Sequence, residues 1–104
     1  MRSDEARYHA FRARWLGNDP GSFAAINRMI ANAEMDGDSA RIRCPTLVIA
    51  GTHDLLRPPE AVERIARAIP GARYRVLDTG HFMAVQTPRP VADAFAAFLA
   101  EVGN

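Results

Sequence analysis

Lysine is absent from the 104 residues; all thirteen basic side chains are arginine. That absence excludes Schiff-base chemistry and other lysine nucleophiles. It also excludes a Walker-type phosphate loop, which needs its lysine. Cysteine occurs once, as Cys44, so no internal disulfide can form, and neither a Cys-x-x-Cys nor a Cys/His zinc pattern exists. A formal net charge of +1 gives no electrostatic footprint for nucleic acid or for an anionic membrane surface. No apolar run approaches the roughly 20 residues of a membrane span. The start, Met1-Arg2-Ser3-Asp4-Glu5, leads into Arg7, Tyr8, His9 and Arg12 without the apolar segment of a secretory signal. A cytoplasmic location is therefore the expectation. Apolar residues make up 48% and charged residues 24%, which is too apolar for a disordered chain and fits one globular domain. The arginines are scattered and are expected to be solvated or ion-paired.

Two kinds of patterning divide the chain. Residues 4–35 read as two helices. Tyr8, Phe11 and Trp15 form one apolar stripe, and Phe23, Ile26, Ile30 and Ala33 form another, with Met29 beside it. Gly17-Asn18-Asp19-Pro20-Gly21 separates them with concentrated turn chemistry. Ser22 is expected to cap the second helix, and Asp36-Gly37-Asp38-Ser39 to form a loop. From residue 42 onward, strand and helix alternate. Thr46-Leu47-Val48-Ile49-Ala50 is a continuous, β-branched apolar run, as expected of a strand covered on both faces. A helix follows Pro58-Pro59, with Val62, Ile65, Ala66 and Ile69 as its buried stripe and Pro70-Gly71 as its stop. In the second strand, Arg73-Tyr74-Arg75-Val76-Leu77, alternation sets Tyr74 and Val76 opposite Arg73 and Arg75 and suggests a position near an edge. A final helix from Pro88 or Pro90 to Val102 carries the stripe Val91, Ala94, Phe95, Phe98, Leu99 and Val102. The class is α/β, ordered α-α-β-α-β-α, with a right-handed parallel βαβ unit. Two strands alone leave both sheet edges open, so the piece reads as the end of a larger sheet.

In open parallel sheets, ligands meet the loops at the carboxyl ends of the strands. Gly51-Thr52-His53-Asp54 follows the first strand and Asp78-Thr79-Gly80-His81 the second. Asp54 and His81 therefore emerge side by side. A carboxylate on one imidazole nitrogen fixes the tautomer and leaves the other nitrogen free to act as a base, which supplies two members of a nucleophile–histidine–acid triad. Taken singly, an aspartate after a strand is an ordinary turn or cap residue and a lone histidine is ordinarily structural; the pairing is what raises the functional reading. Phe82 and Leu55 flank the pair and are the candidate substrate-binding residues, with Leu56 and Met83 as further candidates to line an apolar pocket. His53 is expected to point away, Asp78 to shape its loop, His9 to be solvated, and Trp15 to pack within the helical region.

Three runs carry a resemblance: Ile42-Arg43-Cys44-Pro45-Thr46-Leu47-Val48-Ile49-Ala50-Gly51-Thr52-His53-Asp54, then Ala68-Ile69-Pro70-Gly71-Ala72-Arg73, then Gly80-His81-Phe82-Met83-Ala84-Val85-Gln86-Thr87-Pro88. Together they resemble the C-terminal part of the α/β-hydrolase superfamily. The resemblance implies that Asp54 is the triad acid and His81 the triad base. It also implies that residues 1–40 are the end of a helical cap and residues 41–104 the C-terminal βαβα part of the core. The stretch at 15–26 looks most like enol-lactone hydrolases of the 3-oxoadipate type. The implied activity is hydrolysis of a small ester or lactone, with no metal and no organic cofactor.

The departure from that pattern is the nucleophile. No Gly-x-Ser-x-Gly elbow is present. The serines are Ser3, Ser22 and Ser39, and none follows a strand. Cys44 enters the first strand at its amino end, about 17–20 Å from the other end at roughly 3.3 Å per residue. The isolated chain is thus expected to be inactive, its partner being a missing N-terminal half or a second copy covering the sheet edge, and neither nucleic acid nor membrane. Two alternatives stay open: an inactive binding or self-associating module, and dehalogenase, epoxide hydrolase or haloperoxidase-like chemistry on the same layout.

Overall fold

The computed structural model describes residues 5–103, so Ser3 and the expected first helical position at Asp4 lie outside the described residues. The elements are α1 (Glu5–Leu16), α2 (Pro20–Asn32), α3 (Asp36–Ser39), β1 (Leu47–Gly51), α4 (Pro59–Ala68), β2 (Arg73–Leu77), α5 (Met83–Gln86) and α6 (Pro88–Val102). The fold class is α/β, as the strand and helix patterns imply. Two one-turn helices, α3 and α5, interrupt stretches that the sequence presents as loops.

Local chemistry accounts for the helix boundaries. Asp19 caps α2: its side chain accepts the Ser22 backbone N–H at 2.7 Å, and Pro20 supplies a pre-set first helical position. Ser22 is thus the donor within the first turn and not the cap, because the chain already turns helical at Pro20. Helix α4 shares only the proline: Pro59 opens its first turn, after Pro58, with no side-chain cap. Beyond its end, Gly71 adopts φ +71°, a left-handed conformation that suits a residue without Cβ.

β1 and β2 pair in parallel, from Leu47 opposite Arg73 to Gly51 opposite Leu77. Helix α4 connects them and packs on both. The Tyr74 hydroxyl donates to the Pro59 carbonyl at 2.8 Å, tying β2 to the start of that helix. Arg73 forms an ion pair with Glu101 and lies over the Phe98 ring, tying β2 to α6.

The core is small and rich in alanine: Ala50, Ala66, Ile69, Val91 and Ala94 are buried. Burying a side chain the size of Ile69 contributes about 2 kcal/mol. The expected stripes are only partly covered. Ile65, Phe95 and Leu99 are 48%, 51% and 62% exposed, although they share helix faces with buried neighbours. The physical reason is width: a two-stranded sheet cannot cover the whole of each stripe. Val76 is exposed for the same reason, while Tyr74 on its face is held by the bond to Pro59. Helices α1 and α2 bury no residue fully. They meet through aromatic edges, Trp15 against Phe23 at 5.3 Å.

Candidate active site

The register of the sheet builds the site. Gly51 and Leu77 end their strands opposite one another, so the chains leave the sheet side by side. Thr52 N–H donates to the Leu77 carbonyl at 2.9 Å and His53 N–H to the Thr79 carbonyl at 2.9 Å. The loops are zipped together before the side chains of interest begin. Gly51 makes this approach possible: a Cβ there would lie 2.7 Å from the Thr79 carbonyl oxygen and 2.9 Å from that of Gly80.

Asp54 is buried, 6% exposed, and its two oxygens have separate tasks. Oδ1 accepts the backbone N–H groups of Leu56 at 2.9 Å and Arg57 at 2.8 Å, which folds the turn into α4. Oδ2 lies 2.8 Å from His81 Nδ1. An ionised carboxylate only accepts, so Nδ1 donates and Nε2 of the neutral ring keeps its lone pair. The sequence places Asp54 and His81 at neighbouring strand ends, and the structure brings them into contact.

Burial pushes the Asp54 carboxyl up. The hydrogen bonds from the Arg57 N–H, His81 and the Leu56 N–H outweigh it, and the net effect holds the carboxyl below its ordinary value. A lowered folded value means that the carboxylate stabilises the fold above the ordinary aspartate pKa of about 3.9. That contribution is lost as pH falls through the lowered value. Asp54→Asn removes it. The thermal midpoint of the parent chain should therefore fall toward that of the variant as pH is lowered from about 6 to about 3, as read by melts at matched pH. A gap that stays constant over this range rules out a lowered carboxylate.

Beyond His81 the loop is pinned from the far side. Thr79 is fully buried, and the Thr87 hydroxyl donates to its hydroxyl at 2.6 Å. The histidine side chain itself is 38% exposed, so its ring is reachable from outside. The Phe82 ring stands 5.1 Å from it, nearly perpendicular. Phe82 also meets Phe11 at 4.4 Å and Trp15 at 6.2 Å. Phe11, Arg12, Trp15 and Phe82 line a cleft of about 260 Å³. Phe82 thus borders a cleft beside the histidine. Leu55 is 94% exposed and does not line it. Trp15 packs against Phe23 yet stays 47% exposed along the cleft.

The sequence reading missed a second pair. His53 turns away from the Asp54–His81 pair, as expected, but it finds a partner of its own: its Nε2 lies 2.6 Å from Asp78 Oδ1 on the neighbouring loop. The available signal was the strand register, which sets the residues after Gly51 beside those after Leu77. Arg12 was missed as a cleft residue as well; it lies on the helical face shared by Phe11 and Trp15. Ser22 sits in α2, Ser39 ends α3, and Cys44 precedes β1 at the end opposite Asp54. Among the described residues, no cluster of three or more His, Cys, Asp and Glu is placed to hold a metal ion. No helix among them is long and apolar enough to cross a membrane.

Parallel strands joined by a helix, with a carboxylate–imidazole pair at their carboxyl ends, place the chain among α/β proteins with an open parallel sheet. The chain belongs to the alpha/beta hydrolase fold family, whose pattern matches residues 3–88. It is 33% identical over 97 residues to a putative carbamate hydrolase, RutD, of Pseudomonas savastanoi, covering 90% of this chain and 38% of that one. It is 37% identical over 59 residues to a pyrrolizixenacetamide deacetylase of Xenorhabdus hominickii, covering 57% of this chain and 22% of the relative. The chain thus spans well under half the length of these curated relatives. Among solved structures, a hydrolase from Pseudomonas aeruginosa superposes with a TM-score of 0.76 at 33% identity, covering 94% of this chain and 37% of the other. The enol-lactonase from Burkholderia xenovorans gives 0.63 at 35% identity, covering 66% of this chain and 26% of the other.

Proposed function

We propose that this chain carries the acid and the general base of a serine-type hydrolase acting on small ester or lactone substrates. Asp54 orients His81, and His81 moves the protons. The attacking hydroxyl comes from a serine outside residues 1–104, held on strands that extend the same sheet. His81 Nε2 takes the proton of that hydroxyl as its oxygen attacks the substrate carbonyl, then gives the proton to the departing alkoxide oxygen. A water molecule next loses its proton to Nε2 as it attacks the acyl-enzyme. That proton returns to the serine oxygen as the acid is released. The scheme needs no metal and no organic cofactor. Residues 1–40 act as the end of a cap above residues 41–104, and the cleft at Phe82 receives the apolar part of the substrate. The enzyme is read as enol-lactonase- or carboxylesterase-like and cytoplasmic.

The observation that carries this reading is the 2.8 Å contact of His81 Nδ1 with a buried Asp54 whose other oxygen is already committed to two backbone N–H groups. Acyl bonds are also what the names of the deacetylase and enol-lactonase relatives indicate. The partner surface is the open sheet edge, together with the exposed Phe95 and Leu99 of α6.

The test grafts residues 1–104 into the Pseudomonas aeruginosa hydrolase in place of its matching segment, so that the rest of that chain supplies the serine the proposal requires. Hydrolysis of p-nitrophenyl esters and of a simple enol lactone is then measured. The graft is expected to turn over both, and the 104-residue chain alone neither. A folded graft without hydrolysis rejects the proposal. Turnover by the chain alone at the graft's rate rejects an external serine.

A further inference from the structure

Two imidazole–carboxylate pairs, not one, join the loops that follow the strands, and they run in opposite directions. Asp54 on the first loop accepts from His81 on the second at 2.8 Å. Asp78 on the second loop accepts from His53 on the first at 2.6 Å. Between them the backbone contributes the His53 N–H bond to the Thr79 carbonyl at 2.9 Å. Crossed bridges of this kind fix register: neither loop can slide along the other without breaking both.

We propose that His53 and Asp78 are positioning residues for the acid–base pair. The inference rests on the reading of Asp54 and His81 given above. The two side chains of the outer pair are 52% and 82% exposed, and exposed pairs of this type add little to global stability. Their effect is local. The second loop is pinned at Asp78 by His53 and at Thr79 by Thr87, and Gly80 and His81 follow directly. With the His53 side chain removed, Thr79 keeps its bonds to the Thr87 hydroxyl and the His53 N–H, but Asp78 loses its tether across the loops, and the segment that carries His81 can tilt about Thr79. Catalytic groups tolerate displacements of only about 0.5 Å, so a loop freed to pivot loosens the Nδ1–Oδ2 bond. Asp78 needs only to accept and His53 only to donate. Gln at 53 and Asn at 78 therefore keep the bridge, while Ala at either position removes it.

The experiment uses the full 104-residue chain with nitrogen-labelled histidine and follows solvent exchange of the His81 Nδ1 proton by NMR. Amide spectra and thermal melts monitor the fold in parallel. The parent should show a protected Nδ1 proton that Asp54→Asn abolishes. His53→Ala and Asp78→Ala should each speed its exchange about two- to fivefold, the ratio that corresponds to losing an exposed pair. His53→Gln and Asp78→Asn should restore slow exchange. If the Ala variants unfold, the Gln and Asn variants against the parent still carry the test: exchange about twofold or more faster than in the parent overturns the proposal. A protected proton left unchanged by both Ala variants overturns the positioning role and leaves the acid–base pair intact. A parent with no protected Nδ1 proton overturns the acid–base reading, and the positioning role with it.

Discussion

His81→Ala should lower ester hydrolysis by the grafted enzyme about 10⁴-fold or more, with KM little changed. The histidine is the only group in the scheme that carries protons between serine, leaving group and water, so its loss removes every transfer at once. Asp54→Asn should cost about 10⁴-fold through a different route. The asparagine carbonyl can still accept from the Leu56 and Arg57 N–H groups that now bond Oδ1, so the turn into α4 survives. Its amide nitrogen then faces His81 Nδ1, where a carboxylate oxygen stood at 2.8 Å. An N–H donor at that position makes Nδ1 the acceptor and moves the ring proton to Nε2. The nitrogen that should take the serine proton is then already occupied. The double variant should be no slower than His81→Ala alone, because the two residues act as a unit. Steady-state kinetics on the three grafts decides the matter. Activity within tenfold of the parent in His81→Ala removes the mechanism.

The Asp54–His81 contact is legible because it depends on quantities that a sequence states openly. A continuous apolar run at Thr46–Ala50, an alternating one at Arg73–Leu77 and a proline-started helix between them point to two parallel strands, observed at Leu47–Gly51 and Arg73–Leu77. Parallel strands put their following loops at one end, and Asp54 and His81 need nothing further to meet. What was not legible depends on neighbours. Ile65, Phe95 and Leu99 lie on apolar helix faces, yet how much of each face is covered depends on sheet width, which periodicity does not encode. The outer pair escaped because His53 next to Asp54 reads as a turn residue; only the register of Gly51 against Leu77 shows that Asp78 lies beside it. Arg12 escaped because an arginine beside a stripe looks solvated until another loop, here carrying Phe82, closes over the same face.

Gly51→Ala should be among the most damaging single substitutions for the fold, at about 1–3 kcal/mol. The reason is what its Cβ would meet: the Thr79 carbonyl oxygen at 2.7 Å, the Gly80 carbonyl oxygen at 2.9 Å and the Thr79 carbonyl carbon at 3.1 Å. All three are backbone atoms of the facing loop, which the Thr52 and His53 N–H bonds hold in place. No rotamer change relieves the contact, so the loop must move away from β1. Gly80→Ala is the informative contrast. Its Cβ would meet the end of the Gln86 side chain at 2.5 Å, a group that can swing aside at the cost of a rearranged side chain. Gly80→Ala should therefore lower the unfolding midpoint less than Gly51→Ala in matched urea titrations. The two should differ in a second way. Moving the facing loop away from β1 separates Asp54 from His81, so Gly51→Ala should also unprotect the His81 Nδ1 proton in the molecules that remain folded. Equal stability losses in the two variants, or a protected proton in Gly51→Ala, would show that the close approach at Gly51 is not what holds the two loops together.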